Sequence, residues 1–262
     1  MTAHFDTIRW ADVSVRDWTR AKAFYAAMFD WEFADQHFEG RTVYSLARLD
    51  GPAGPHASVA VAGLGPAMDP DADDGPKSWR SYINVSDLAS TLDKVDSARG
   101  QVIMPPMDVM DAGVMAVCKD SNGAVFSLWQ PVHHTGHDRG NIPGMICWFE
   151  LTSSDPQDSL EFYGSVFGWN ADKRRSSTDE YSWIFTSGAK AVASMHSRLN
   201  ETSGKALWLP FVRVASLSRT ERICRELGGS VLFGPQLEAG IGVYAVVTDN
   251  ERNMFGISQF NA

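Results

Sequence analysis

With 262 residues, 44% of them hydrophobic and 21% charged, the chain has the composition of a soluble globular protein and can bury one large core or two ordinary ones. Its net charge of −9 and the lack of a Lys/Arg stripe argue against nucleic acid as a partner. No run approaches the roughly 20 apolar residues of a membrane span. Three isolated cysteines fit reduced thiols, and Met1–Thr7 lacks a signal-peptide pattern, so we expect a cytoplasmic protein.

The first elements of the chain form a strand–helix unit. "ADVSVRD" alternates in polarity, which predicts a half-buried strand with Trp10 and Asp12 on one face. Asp17 stands where a helix N-cap is expected, and the helix "WTRAKAFYAAMF" follows it. Its predicted buried stripe is Ala21, Phe24, Tyr25 and Met28. Further strands are predicted at 42–49 and 56–63.

The next segment repeats this order. The sequence predicts a strand at 81–85, a cap at Asp87, and a helix over 88–99 that is stopped by Gly100. Strands near 101–106, 114–120 and 124–130 follow.

The second half of the chain repeats the first. "IRWADVSVRDWTRAKAFYAAMFDWEF" returns 138 positions later as "MICWFELTSSDPQDSLEFYGSVFGWN", and the second unit returns at an offset of 129. A period this long indicates domain duplication rather than a solenoid. We therefore predict an N-terminal domain over 1–130, a linker over 131–143 and a C-terminal domain over 144–262, each with two βαβββ units.

The repeated pattern, with "DWTRAKAFYAAMFDW" in its first copy, resembles the vicinal oxygen chelate superfamily, which includes glyoxalase I, bleomycin-resistance proteins and extradiol dioxygenases. The lines "DAGVMAVCKDSNGAVFSLWQP" and "WFELTSSDPQDSLEFYGSVFGW" look still more like tandem glyoxalase-like proteins often labelled hydroxylases. The resemblance covers about residues 6–260. It implies an α+β fold with two glyoxalase-like domains, whose cup-shaped mixed sheets hold the ligand.

The resemblance also implies where a metal would be held in metal-dependent members. Those positions carry Trp10, Arg80 and Ser127 in the first half and Trp148, Leu209 and Gly256 in the second. None of these side chains suits a transition metal, so we expect a protein with no metal and no other cofactor.

The histidines outside these positions leave alternatives open. His133, His134 and His137 could chelate an ion, although their setting favours a polar connection whose imidazoles pack against neighbouring strands. His37, His56 and His196 are interpreted as surface or wall residues.

Strand alternation identifies residues expected to line the two cups, and each cup pairs one carboxylate with one arginine. The candidate catalytic residues are Asp12 with Arg80 and Glu150 with Arg213. The candidate ligand-binding residues are Trp10, Tyr82, Asn84, Ser127, Trp129, Trp148 and Phe211. The carboxylates could act as general bases and the arginines could hold an oxyanion, or the pairs could be structural salt bridges.

Three functions fit these features. The first is a metal-free enzyme that acts on a small aromatic or polyketide-like metabolite by proton transfer, cyclisation or rearrangement. The second is a protein that binds and sequesters a drug or metabolite, and the third is a structural protein whose cups are filled by its own side chains. We expect a small-molecule ligand and a monomer or homodimer.

Overall fold

The computed structural model describes residues 5–49, 58–67, 77–138, 140–175, 181–197, 204, 206–238 and 241–260. The first half contains β1 Thr7–Val15, α1 Trp18–Phe29, β2 Glu32–Phe38, β3 Arg41–Leu49, β4 Val59–Pro66, β5 Lys77–Ser78, β6 Arg80–Asn84, α2 Leu88–Ser97, β7 Gln101–Val109, β8 Gly113–Lys119 and β9 Val125–Pro131. The second half contains β10 Ile146–Thr152, α3 Pro156–Phe167, β11 Asn170–Arg175, β12 Tyr181–Ser187, β13 Lys190–His196, β14 Leu207–Arg213, α4 Leu217–Glu226, β15 Ser230–Glu238, β16 Gly242–Thr248 and β17 Asn253–Gln259.

The predicted helix signals are confirmed. The side chain of Asp17 accepts a hydrogen bond from the main-chain N–H of Arg20 at 3.0 Å, and Asp87 caps α2 in the same way. The predicted stripe of α1 is buried, together with Phe29. Local sequence therefore determines where each helix begins and which side it buries.

The end of α2 differs from the prediction. The helix stops at Ser97, and the residue in the left-handed conformation is Arg99, with φ 67°, rather than Gly100. Gly100 is needed for a different reason, because a Cβ there would lie only 2.8 Å from the main-chain oxygen of Lys119.

The strands form two curled, mixed sheets. The first has the order β2-β3-β4-β1-β6-β9-β8-β7, and the second has the order β11-β12-β13-β10-β14-β17-β16-β15, with β5 added beside β17. Each of the four units is a strand, a helix and three strands, which confirms the predicted α+β fold of four βαβββ units. The sequence analysis did not identify β2.

Packing divides the chain into two compact contact units, each built from both halves. The first comprises the described residues within Met1–Trp10, Arg80–Asp138 and Phe149–Leu209, and therefore contains α2 and α3. The second comprises those within Ala11–Trp79, Arg139–Trp148 and Pro210–Ala262, and contains α1 and α4. The predicted domain limits at 1–130 and 144–262 stay a prediction.

A buried hydrogen-bonded chain lies in the core of the first contact unit. The Tyr163 hydroxyl of α3 donates to Asp120 Oδ2 at 2.9 Å and accepts from Trp208 Nε1 at 2.8 Å. The other carboxylate oxygen of Asp120 accepts the main-chain N–H groups of Asn122 and Ala124. Burial raises the pKa of both the Tyr163 hydroxyl and the Asp120 carboxyl.

The second contact unit contains the equivalent chain. Tyr25 of α1 donates to Asp249 Oδ2 at 2.7 Å and accepts from Trp79 Nε1 at 3.1 Å. In this copy Asn253 adds a side-chain bond to Asp249 at 2.8 Å. The duplication thus reproduces a buried polar network as well as the strand order.

No helix in the described part of the chain is long and apolar enough to cross a membrane.

Replacing Tyr163 by Phe tests the importance of the buried chain. The change leaves the Asp120 carboxylate and the Trp208 indole without one partner each, so we expect the free energy of unfolding to fall by about 1–3 kcal/mol. Denaturant unfolding measures this effect. Tyr181→Phe is the control, because it removes a hydroxyl from a residue that is 52% exposed. Equal stability of the two variants would contradict the prediction.

Candidate functional site

Strands β6 and β9 place four predicted ligand-binding residues on one face of the first sheet. The Phe126 ring packs on α3, so the alternating neighbours Ser127 and Trp129 point to the opposite face. In the parallel register Tyr82 pairs with Ser127, and Asn84 pairs with Trp129. We call the face that carries these four side chains the inner face.

Trp10 of β1 joins this face through its ring contacts. It is 5% exposed, and its indole meets the His134 imidazole edge-on, with centroids 4.6 Å apart and planes at 86°. His137 makes a similar contact at 5.8 Å. These rings belong to residues 133–137, which we call the histidine segment. The packing of imidazoles on neighbouring strands agrees with the interpretation that the sequence favoured for these residues.

Hydrogen bonds fix the histidine segment against the inner face. Trp129 Nε1 donates to the main-chain oxygen of His134 at 2.7 Å. Asn84 Nδ2 donates to the main-chain oxygen of Thr135 at 3.0 Å, and Arg9 Nε donates to the same oxygen at 3.1 Å. The main chain of this segment is therefore held by three side chains of the first contact unit.

Three buried polar atoms beside these rings have no hydrogen-bond partner: Asn84 Oδ1, Ser127 Oγ and His134 Nε2. Asn84 and Ser127 are fully buried. Burial, with a smaller contribution from His137, lowers the pKa of the His134 imidazole below its usual 6.5, so the ring is neutral at pH 7. Unpaired buried polar atoms are uncommon in folded proteins and mark a place where a ligand or water can bind.

The two predicted catalytic residues of the first half lie on different strands. Asp12 of β1 is 7% exposed, and its Oδ2 accepts from the Tyr44 hydroxyl at 3.2 Å. The Tyr44 ring lies over Gly63, where a Cβ would overlap it. Arg80 is half-buried at the start of β6 and has interactions of its own. The pairing of Asp12 with Arg80 stays a prediction, and Tyr44 is a partner that the sequence analysis missed.

The carboxylate of the second half has two buried partners. Glu150 Oε2 accepts from Ser194 Oγ at 2.7 Å, and Glu150 Oε1 lies 2.9 Å from His196 Nε2. All three side chains are 3% exposed or less. The adjacent Thr152 has a buried hydroxyl without a partner. His196 is therefore wholly buried on β13, which excludes the surface alternative and agrees with the alternative of a wall residue.

The remaining candidates of the second half lie on β10, β14 and β17. Trp148 is half-buried. Phe211 is fully buried, its ring packs on Tyr244 with centroids 5.6 Å apart, and it fills the space where a Cβ of Gly256 would be. The guanidinium of Arg213 lies 4.7 Å from the centroid of the Phe260 ring. The pairing of Glu150 with Arg213 stays a prediction.

The positions that would hold a metal in related proteins do not fit one. In the first half the usual imidazoles and carboxylate are replaced by Trp10, Arg80 and Ser127. An indole can only donate hydrogen bonds, a guanidinium is a cation, and a serine hydroxyl is a poor ligand for such metals. In the second half Leu209 is fully buried, and the Phe211 ring covers Gly256. Among the described residues, no three His, Cys, Asp or Glu side chains come together in a way that could hold an ion.

The other histidines add nothing to this site. His37 is exposed on β2. His56 lies outside the described residues.

Comparison with proteins of known sequence gives full-length relatives. CFP32 of Mycobacterium tuberculosis, which carries a provisional glyoxylase name, is 31% identical over 254 residues, covering 96% of this chain and 94% of that protein. The anthracycline biosynthesis protein DauV of Streptomyces sp. strain C5 is 29% identical over 231 residues, covering 85% of this chain and 82% of that protein.

Solved structures with the same fold are more distant in sequence. The Mn(II)-bound glyoxalase from Novosphingobium aromaticivorans superposes with a TM-score of 0.64 at 15% identity, covering 97% of this chain and 82% of that one. The 2,3-dioxygenase LapB from Pseudomonas sp. KL28 gives 0.61 at 12% identity, with 98% and 92% covered.

A family model supports the same assignment. The model of the Glyoxalase/Bleomycin resistance protein/Dioxygenase superfamily matches residues 7–128. Together with the full-length relatives, this match shows that the chain belongs to that superfamily.

Proposed function

We propose that this protein binds a small aromatic or polyketide-like metabolite at the inner face of its first sheet and acts on it by metal-free acid–base chemistry. The reaction class would be proton transfer, cyclisation or rearrangement. The observation that carries the proposal is the group of three unpartnered polar atoms on Asn84, Ser127 and His134, next to the rings of Trp10 and Trp129.

Aromatic walls with a few polar atoms are the usual make-up of a small-molecule site. Trp10 and Trp129 are 5% and 6% exposed, and Tyr82 adds a third ring whose centroid lies 6.4 Å from that of Trp129. An aromatic ligand gains about 1 kcal/mol from such ring contacts beyond the area that it buries. Its polar edge can then satisfy the unpartnered atoms.

For the chemical step we propose Asp12 as the proton acceptor and Arg80 as the group that holds a developing oxyanion. A proton would pass from a carbon or oxygen acid of the ligand to the Asp12 carboxylate, and the electron pair would move to an oxygen. Glu150 and Arg213 are the corresponding candidates of the second half. We favour the first half, because it carries the buried unpartnered atoms of Asn84, Ser127 and His134 beside two indoles.

The relatives support the proposed class of ligand. Two of them are named as anthracycline biosynthesis proteins, and anthracyclines are fused-ring aromatic polyketides. A flat fused-ring molecule matches a face lined by two indoles.

Binding without catalysis is the second candidate function. The observation that favours it is that the unpartnered atoms and the indole walls are sufficient for binding, whereas the identified partner of Asp12 is Tyr44. Such a protein would sequester a drug or metabolite and return it unchanged.

Replacing Trp10 by Ala tests the ligand site. We expect affinity for a flat aromatic probe, 2-naphthol, to fall about tenfold or more, since about 1.4 kcal/mol corresponds to a factor of ten. Isothermal titration calorimetry measures the affinity. Trp18→Ala is the matched control, because Trp18 is a half-buried indole of α1 beneath Lys22. A folded Trp10→Ala variant that binds as tightly as the wild type would show that the inner face is not the site.

Replacing Asp12 by Asn separates the enzyme from the binding protein. Exchange of the α-protons of 2-tetralone in D₂O, followed by NMR, requires no knowledge of the natural substrate. We expect the wild type to accelerate this exchange and Asp12→Asn to abolish it, with 2-naphthol affinity unchanged. Glu150→Gln is the parallel variant for the second half. A wild-type protein that binds 2-naphthol but leaves the exchange rate unchanged would favour sequestration.

Metal analysis tests the metal-free part of the proposal. After purification without chelators, we expect iron, zinc and nickel far below one equivalent per chain, because Trp10, Arg80 and Ser127 supply no suitable donor set. Elemental analysis by mass spectrometry is the measurement. A stoichiometric content of any of the three metals would contradict it.

A further inference from the structure

The orientation of the Asn84 side-chain amide is fixed by its hydrogen-bond partner. Its Nδ2 donates to the main-chain oxygen of Thr135, so a flipped amide would bring two carbonyl oxygens together. The unpartnered Oδ1 is therefore an acceptor. Asn84 is fully buried and its Oδ1 has no protein partner, so a donor carried by a bound molecule can satisfy it.

The other two unpartnered atoms can accept as well. Ser127 carries a hydroxyl oxygen with two lone pairs on the neighbouring strand. His134 is neutral at pH 7, because burial and His137 lower its pKa, and a neutral imidazole offers one ring nitrogen as an acceptor. In the tautomer protonated at Nδ1, that acceptor is the buried Nε2.

Two side-chain donors near these atoms are already used. The indole N–H of Trp129 donates to the main-chain oxygen of His134. Arg9 donates to Thr135 and forms an ion pair with Asp138 at 2.7 Å. The three unpartnered atoms can therefore offer up to three acceptors beside the rings of Trp10 and Trp129.

We propose that the inner face selects aromatic ligands that carry O–H or N–H donors, and that His134 and Ser127 are residues that set this specificity. The inference rests on the proposed function, because it describes hydrogen bonds made in the same site. It makes the histidine segment, which the sequence presents as a connection between repeats, part of the ligand site.

A series of methyl ethers tests the preference for donors. The probes are 2,7-dihydroxynaphthalene, 7-methoxy-2-naphthol and 2,7-dimethoxynaphthalene, titrated by calorimetry at pH 7.5. Each methylation removes one donor and leaves a buried acceptor unpaired, so we expect affinity to fall stepwise, by tenfold or more over the series. 2-Naphthoate supplies a charged comparison and should bind more weakly than the diol. Equal affinities over the methyl ether series, or tighter binding of the naphthoate than of the diol, would overturn the inference.

Two variants test the named residues. His134→Phe keeps a ring against Trp10 and removes Nε2, and Ser127→Ala removes only the hydroxyl. Each should reduce the ratio of diol to dimethyl ether affinity severalfold, while the dimethyl ether binds as well as before. His133→Phe is the matched control on an exposed residue of the same segment and should leave the ratio unchanged. Thermal unfolding verifies that each variant is folded.

The outcomes separate the two proposals. If the wild type binds none of the naphthalenes, the proposed function fails and this inference fails with it. If it binds them all without regard to methylation, or if both site variants keep the wild-type ratio, only this inference fails.

Discussion

The hydrogen bond from a helix tyrosine to a buried aspartate is the interaction on which the fold depends. In each contact unit the aspartate comes from a different βαβββ unit than the tyrosine: Tyr163 of the third unit bonds Asp120 of the second, and Tyr25 of the first bonds Asp249 of the fourth. The carboxylate also holds the turn that follows its own strand, through main-chain N–H groups. Because a buried carboxylate is costly unless it is fully bonded, this network strongly favours one pairing of units.

Sequence patterns predicted the local features of this fold and missed the non-local ones. The caps at Asp17 and Asp87 and the stripe of α1 follow from spacing within one helix, and they are confirmed. The alternation that puts Ser127 and Trp129 on the same face of β9 is also local to one strand. The partners of the carboxylates are not, because Tyr44 and His196 reach them only through the register between strands. Nothing within the sequence of one strand specifies that register, so the bond from His196 to Glu150 could not be predicted.

The equivalent strands β1 and β10 each carry a carboxylate at the same position, but the two carboxylates have different hydrogen-bond partners. Asp12 and Glu150 occupy equivalent places, yet one accepts from a tyrosine that rests over Gly63 and the other from a serine and a histidine. Gly63 and Ser194 are the partners of these two carboxylates in the parallel register of their sheets. A glycine there leaves room for an aromatic ring from the next strand, whereas a serine bonds the carboxylate directly. Differences on the neighbouring strands thus decide which side chains bond each carboxylate.

The contrast between satisfied and unsatisfied polar groups also bears on which surface is functional. Around Glu150 each carboxylate oxygen has a partner, although the buried hydroxyl of Thr152 on the same strand has none. Around Asn84, Ser127 and His134 three atoms are left without one, although leaving each unpaired costs about 1–3 kcal/mol. Folded proteins tolerate such a cost mainly where function needs it. These atoms lie beside two indoles, so the donors of a flat ligand bound as we propose would offset this cost.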